Sequence, residues 1–396
     1  MMITQLLFNK WKKHLLLISK YSLLLITVLS AQYRIDGRIL DAETELPLVG
    51  VNIFFSKTSI GSTTDQNGFY TIENITLGRY EMVVSMIGYE IEKQEMIIFN
   101  KARFNMDFRL TPEPLQMKEI LVTAKSNKQW KKDYALFKSA FLGNSRNGES
   151  CVISNGYVLS FKKEGGTFSA SSQRPLEIEN RRLGYTITHY LDEFTLDNKY
   201  VRYAGDSFFT HMNPRTKSEK KKWAKNRQIA YNGSLRHFLS TLGKRFDQRY
   251  SIEGGSVIQK DDWLEKSGRK SDPLVKEGFE VYLTKKHKSG KTTEDFRGLR
   301  NDTLLFLAKN RSELLLSFKK TMKVKYRKES EEMNYGLDTW STPNFQQISY
   351  IILDKDSVII DKNGRYFEIY MLEQQGYMSW ERVGDQLPFG YMPLKN

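Results

Sequence analysis

"GSTTDQNGFYTIENI", Gly61–Ile75, sets a polar cluster between two stretches in which apolar and polar residues alternate. Alternation with period two places successive side chains on opposite faces of a strand, so "FYTIENI" reads as a half-covered strand. In the cluster before it, the side chains of Asp65 and Asn67 can bond the local backbone, and Gly68 is free to take a positive φ. Asp65 is therefore read as a turn residue. A calcium loop of the helix–loop–helix kind would need a glutamate at its twelfth position, which here is Thr76.

Working outward, "YRIDGRIL" (33–40), "VGVNIFF" (49–55), "YEMVVSMIGY" (80–89) and "RFNMDFRL" (103–110) favour the same period. Turn clusters such as "AETELP" (42–47) and "TLG" (76–78) separate them. Short strands at this spacing predict a small antiparallel sandwich.

The motifs "GRILDAETELPLVGVNIFF", "IGSTTDQNGFYTI" and "SMIGYE", in this order, resemble the carboxypeptidase regulatory-like domain, a transthyretin-like sandwich of seven strands. In that family the domain accompanies a catalytic domain or an outer-membrane receptor and carries no catalytic residues itself. The resemblance implies a folding and interaction module. The next segment, "LQMKEILVTAK" (115–125), resembles the connector that follows such domains in TonB-dependent outer-membrane receptors of Gram-negative bacteria. What remains of the chain is too short for their plug and barrel.

At the start, "NKWKKHLLLISKYSLLLITVLSAQ" (9–32) joins a basic stretch to an apolar run, with Ser30 and Ala31 where a signal peptidase could cut. Lys20 keeps the apolar run short of the roughly twenty residues that cross a bilayer. The expected organisation is a signal peptide at 1–31, the β-sandwich at 32–111, a connector strand or linker at 112–127 and a larger α+β domain of unassigned function at 128–396. The fold class is thus mixed: an all-β transthyretin-like sandwich followed by an α+β domain.

The 396 residues are 40% hydrophobic and 13% aromatic, enough for real cores, which excludes a disordered chain. Of the +15 formal charge, Lys10, Lys12, Lys13 and Lys20 lie in the expected signal, and the remainder is still basic. No recognition motif accompanies that charge, so it assigns no specific nucleic acid as partner. Cys151 is the only cysteine, which rules out a disulfide within the chain; beside apolar strand-like residues it reads as a buried thiol.

Within 128–396, "WKKDYALFKSAFLG" (130–143) spaces Trp130, Tyr134, Phe137 and Phe141 for a helix that Gly143 ends. "SEKKKWAKNRQIAY" (218–231) predicts a second helix, its basic run with Trp223 read as a solvated face rather than a phosphate site. Leu235, Phe238, Leu239, Leu242 and Phe246 mark a third helix, with Ser234 as N-cap and not a nucleophile, since the Gly-x-Ser-x-Gly elbow is missing. His237 falls on the face away from that stripe and is expected at a surface. No His-x-x-Glu or His-Glu-x-x-His pair offers a zinc site. His189 and Asp192 come nearest, but strand geometry points them to opposite faces unless a bulge intervenes. His189 is expected as a partly buried strand histidine.

The blocks "PLEIENRRLGYTITHYLDEF" (175–194), "NRQIAYNGSLRHFLSTL" (226–242) and "GYMSWERVGDQLPFGYMP" (376–393) resemble secreted Gram-negative proteins that join such a sandwich to a domain of unassigned function. That resemblance supplies a compartment and no reaction. The sequence thus assigns no catalytic, cofactor-binding or metal residue and no cofactor. The reading is a non-enzymatic exported protein of the periplasm or outer membrane, with an envelope protein or outer-membrane component as partner. The alternative is a hydrolase or carbohydrate-binding protein with its site in the C-terminal domain.

Overall fold

A computed structural model describes residues 33–99, 103–113, 128–198, 200–253, 256–260, 272–286, 292–295, 304–308, 313–319 and 321–393. The expected signal peptide and the "KEILVTAK" part of the connector lie outside the described residues.

Two four-stranded sheets face each other over residues 33–110. One carries Phe69–Ile75, Tyr33–Asp41, Arg103–Asn105 and Phe108–Leu110, and the other carries Gly61–Thr63, Asn52–Phe55, Gly78–Ser85 and Glu92–Ile98. Alternate residues of Tyr33–Asp41 point inward, and Ile35 and Ile39 meet Ile53, Phe55, Ile72, Met82 and Val84 in one closed core. The opening stretch is the turn the sequence predicts. Asp65 Oδ1 accepts from the N–H groups of Asn67 (2.8 Å) and Phe69 (2.9 Å), and Gly68 takes φ 76°.

The expectation of a purely antiparallel sandwich needs correction. "RFNMDFRL" forms two short strands, and both run parallel to Tyr33–Asp41. At the break between them, Met106 N–H donates to the Asp36 carbonyl, Tyr70 Oη donates to the Met106 carbonyl at 2.8 Å, and Arg38 N–H donates to Asp107 Oδ1. Gly37 permits this crossing, because a Cβ there would lie 1.8 Å from the Met106 oxygen.

Residues 128–393 build two cores among the described residues. In the first, helix Lys128–Leu142 lays Phe137, Phe141 and Leu142 on a six-stranded antiparallel sheet whose longest members are Tyr185–Leu196 and Val201–His211. Gly143, at φ 86°, follows its last turn as the sequence predicts. In the second, helix Leu235–Arg249 packs its Leu235, Phe238, Leu239, Leu242 and Phe246 stripe against a five-stranded and a three-stranded sheet. Ser234 Oγ caps that helix by accepting from His237 N–H. Helix Lys217–Tyr231 does not present Trp223 to solvent: the indole is buried, and its N–H donates to the Arg181 carbonyl at 2.8 Å. Among the described residues, no helix is long and apolar enough to cross a membrane.

Candidate interdomain site

The sandwich is joined to the rest of the chain by more than sequence. Between Asn52–Phe55 and Gly61–Thr63 its hairpin turns at Lys57, which takes φ 59°. The left-handed region is costly for a residue with a Cβ, and such a conformation persists only where surrounding bonds enforce it. Here three do. Lys57 N–H donates to the Ser207 carbonyl at 2.7 Å, Phe209 N–H to the Thr58 carbonyl at 2.9 Å, and Phe389 N–H to the Lys57 carbonyl at 2.8 Å.

Side chains extend the contact. The Phe54 ring lies 5.3 Å from both Tyr190 and Phe208, with Val83 in the same cluster. Lys93 Nζ reaches Asp192 at 2.6 Å and Asp206 at 2.7 Å, and Arg79 donates to both oxygens of the buried Glu313. The Arg365 guanidinium sits over the Tyr80 ring and fills the space a side chain at Gly78 would need.

On either side of the hairpin Tyr185–Leu196/Val201–His211 lies a cavity. One, of about 540 Å³, is lined by Phe54, Tyr190, Asp192 and Phe208. The other, of about 660 Å³, is lined by Lys57, His189, Tyr203, Ser207, Tyr366 and Arg382. His189 is 3% exposed, more enclosed than the sequence suggests. Its Nδ1 lies 2.8 Å from Ser207 Oγ on the neighbouring strand, its ring packs on Phe141, and its Nε2 has no hydrogen-bond partner among the described residues. Burial pushes its pKa down to about 4, so the imidazole is neutral at pH 7. A bulge does interrupt the register between Leu191 and Glu193, yet Asp192 opens into the smaller cavity and His189 into the larger. The two therefore do not converge.

The other residues singled out in the sequence have structural places. His237 is buried, against the expectation of a surface position: Nδ1 accepts from Gly233 N–H at 3.1 Å, and the ring packs on Phe279 and Tyr326. The second face of its helix is covered by two strands of the five-stranded sheet, Phe279–Lys286 and Thr321–Tyr326, which helical periodicity cannot report. Cys151 is fully buried, its thiol pushed up to about 12 by burial and its Sγ 3.3 Å from the Asn147 carbonyl. Among the described residues, no group of three or more His, Cys, Asp or Glu is arranged to hold a metal ion. Sequence reasoning passed over Lys57, Tyr203 and Arg382, because nothing in their local patterns signals that they meet.

Residues 35–122 match the family model of the CarboxypepD_reg-like domain. This segment is a carboxypeptidase regulatory-like domain. No curated protein matches the chain. Among solved structures, a type II cohesin–X-dockerin complex of Acetivibrio cellulolyticus aligns at 16% identity over 19% of this chain and 52% of its own, with a TM-score of 0.17. This chain thus spans about half the length of that relative. A DUF3823 family protein from Bacteroides ovatus aligns at 14% identity over 46% of this chain and 82% of its own, with a TM-score of 0.17. A candidate carbohydrate binding protein from Bacteroides uniformis aligns at 8% identity over 83% and 98%, with a TM-score of 0.18.

Beyond the regulatory-like domain, buried acids give the larger region a pH signature. Burial raises Glu329 to about 7, although Asn232 donates to it, and raises Asp385 to about 6 despite bonds from Ser145 and Asn147. Unfolded, these carboxyls titrate near ~4. The folded state therefore holds protons that the unfolded state has released, and their contribution to stability is fully present below ~4 and lost as pH rises toward ~7. His189, pushed down to about 4 by burial, shifts stability the opposite way up to its unfolded ~6.5, so the assignment is read from a variant, Glu329→Gln, which keeps an acceptor for Asn232. The parent's denaturant midpoint is expected to fall relative to that of Glu329→Gln as pH rises through the interval. A midpoint difference between parent and Glu329→Gln that stays constant through the interval would contradict the assignment.

Proposed function

We propose that the chain is an exported, non-enzymatic protein of the Gram-negative cell envelope, in which the regulatory-like domain is a docked scaffold for the larger region. The observation that carries this reading is the Lys57–Thr58 loop, which makes three backbone hydrogen bonds to segments 150 or more residues away in sequence. Backbone rungs of this kind fix orientation as well as proximity. The basic and apolar amino-terminal pattern supports export. Against a serine-hydrolase reading of the Ser207–His189 contact, the Ser207 side chain is 1% exposed.

Two measurements test the proposal. Fractionation of the native cell, with mass spectrometry of the protein's amino terminus, is expected to find it in the envelope and processed near Ala31; a cytoplasmic chain with an intact start would remove the export reading. Phe208→Asp buries a charge in the Phe54–Tyr190 cluster and is expected to split one unfolding transition into two as the domains part. An unchanged single transition would remove the scaffold reading.

A further inference from the structure

We propose that the open edge of Val201–His211, where it lines the larger cavity, takes up an extended basic peptide segment of a partner protein as an added strand. The inference goes beyond the scaffold reading and holds in whatever compartment the protein resides.

This edge already accepts backbone from another domain. Tyr185–Leu196 covers one side of Val201–His211. On the other side, Ser207 and Phe209 bond the Lys57–Thr58 loop of the regulatory-like domain, with Thr58 and Phe208 in a parallel bridge. In an antiparallel strand a residue turns its N–H and C=O to the same side, and successive residues alternate. Counting back from Phe209 and Ser207, Val201 and Tyr203 present their backbone groups to that open side, where they have no partner among the described residues. The linings of the two cavities agree. The smaller takes Phe208 and Thr210, alternate residues that belong to a sheet face, whereas the larger takes the unbroken run 201–205, as an edge does. Unpaired edge groups are a template for a further strand.

Charge selects the partner. Glu193, Asp354 and Glu373 line the cleft, and none forms an ion pair among the described residues. Glu193 accepts from the Tyr370 hydroxyl at 2.6 Å and Glu373 from the Gln375 amide at 2.7 Å, neutral bonds that leave the charges unmatched. The cations of the lining are engaged. Arg202 reaches Asp197 at 3.5 Å and lies over the Tyr200 ring, Arg382 bonds the Tyr203 hydroxyl, and the enclosed Lys57 feels Asp206 and Glu81. Basic side chains on an added strand supply the missing counter-charge, and the half-exposed Tyr370 ring offers such a cation a face.

The test is calorimetric titration of the full chain with the blocked peptide Lys-Val-Lys-Val-Lys-Val-Lys and with its counterpart carrying glutamate for lysine. The lysine peptide is expected to bind about tenfold more tightly than the glutamate peptide. Methylating the backbone nitrogens of the valines alone, or of the lysines alone, separates strand addition from charge: one pattern removes the rungs and is expected to cost about tenfold or more, while the other faces away and costs little. Asp354→Lys/Glu373→Lys is expected to weaken the lysine peptide about tenfold. The same charge change at Glu43 and Glu90, exposed residues of the regulatory-like domain outside the cleft, is expected to leave it within about twofold. No binding of the lysine peptide at about 1 mM, equal binding of the two peptides, equal effects of the two methylation patterns, or an equal loss in the Glu43/Glu90 variant would each overturn the proposal.

Discussion

Gly37→Ala is expected to destabilise the regulatory-like domain by about 3 kcal/mol or more, near the upper end for overpacking. The new Cβ would lie 1.8 Å from the Met106 carbonyl oxygen and 2.7 Å from the Tyr70 ring. The first neighbour is backbone, so no rotamer change clears it. Relief requires the strands at 103–110 to move off Tyr33–Asp41, which breaks the Tyr70 hydroxyl bond and uncovers the fully buried Leu110. Gly50→Ala is the matched control, since Gly50 has φ 77° but nothing within 4 Å of a Cβ. There only the left-handed strain of about 1 kcal/mol applies. Denaturant unfolding that found the two substitutions equally costly would reject the parallel crossing at Gly37.

Asp361→Ala is expected to cost about 3–5 kcal/mol, the penalty for leaving a buried charge unpaired. Asp361 and Arg365 are 5% and 4% exposed and form an ion pair through Arg365 Nε. Asp361 Oδ1 also accepts from Asn363 N–H at 2.9 Å and Arg365 N–H at 2.8 Å. Removing the carboxylate strands the guanidinium between Tyr80, Phe389 and Gly78. Because Tyr80 and Gly78 belong to the regulatory-like domain, the loss is expected to loosen docking as well as lower stability. The double replacement Asp361→Leu/Arg365→Met is expected to recover part of the loss, since paired apolar groups avoid the desolvation penalty. A cost under about 1 kcal/mol for Asp361→Ala would mean that the pair is solvated and the contact weak.

These two sites differ in how far local sequence reveals them. Gly37 sits in a legible strand, but only the return of residues 103–110 explains why that position must lack a Cβ. Asp361 stands in "DKNG", which reads as a turn, and the turn is real: Gly364 has φ 81°. Nothing nearby indicates that Arg365 would reach a ring at residue 80. His237 shows the same limit, because periodicity identifies the face a helix must bury and leaves open whether the other face is covered too.

The sequence by itself determined the features whose causes lie within a few residues or repeat with a fixed period. These are the sandwich strands, the Asp65–Gly68 turn, the Ser234 cap, the helix stripe from Leu235 to Phe246 and the end of a helix at Gly143. Tertiary structure alone decided the parallel crossing at Gly37, the left-handed clamp on Lys57, and the cavity that brings residues 57, 189, 203, 366 and 382 together. Each of these depends on contacts between segments tens to hundreds of residues apart. A local pattern records which side chains seek burial or a partner, and the chain path decides which ones they meet.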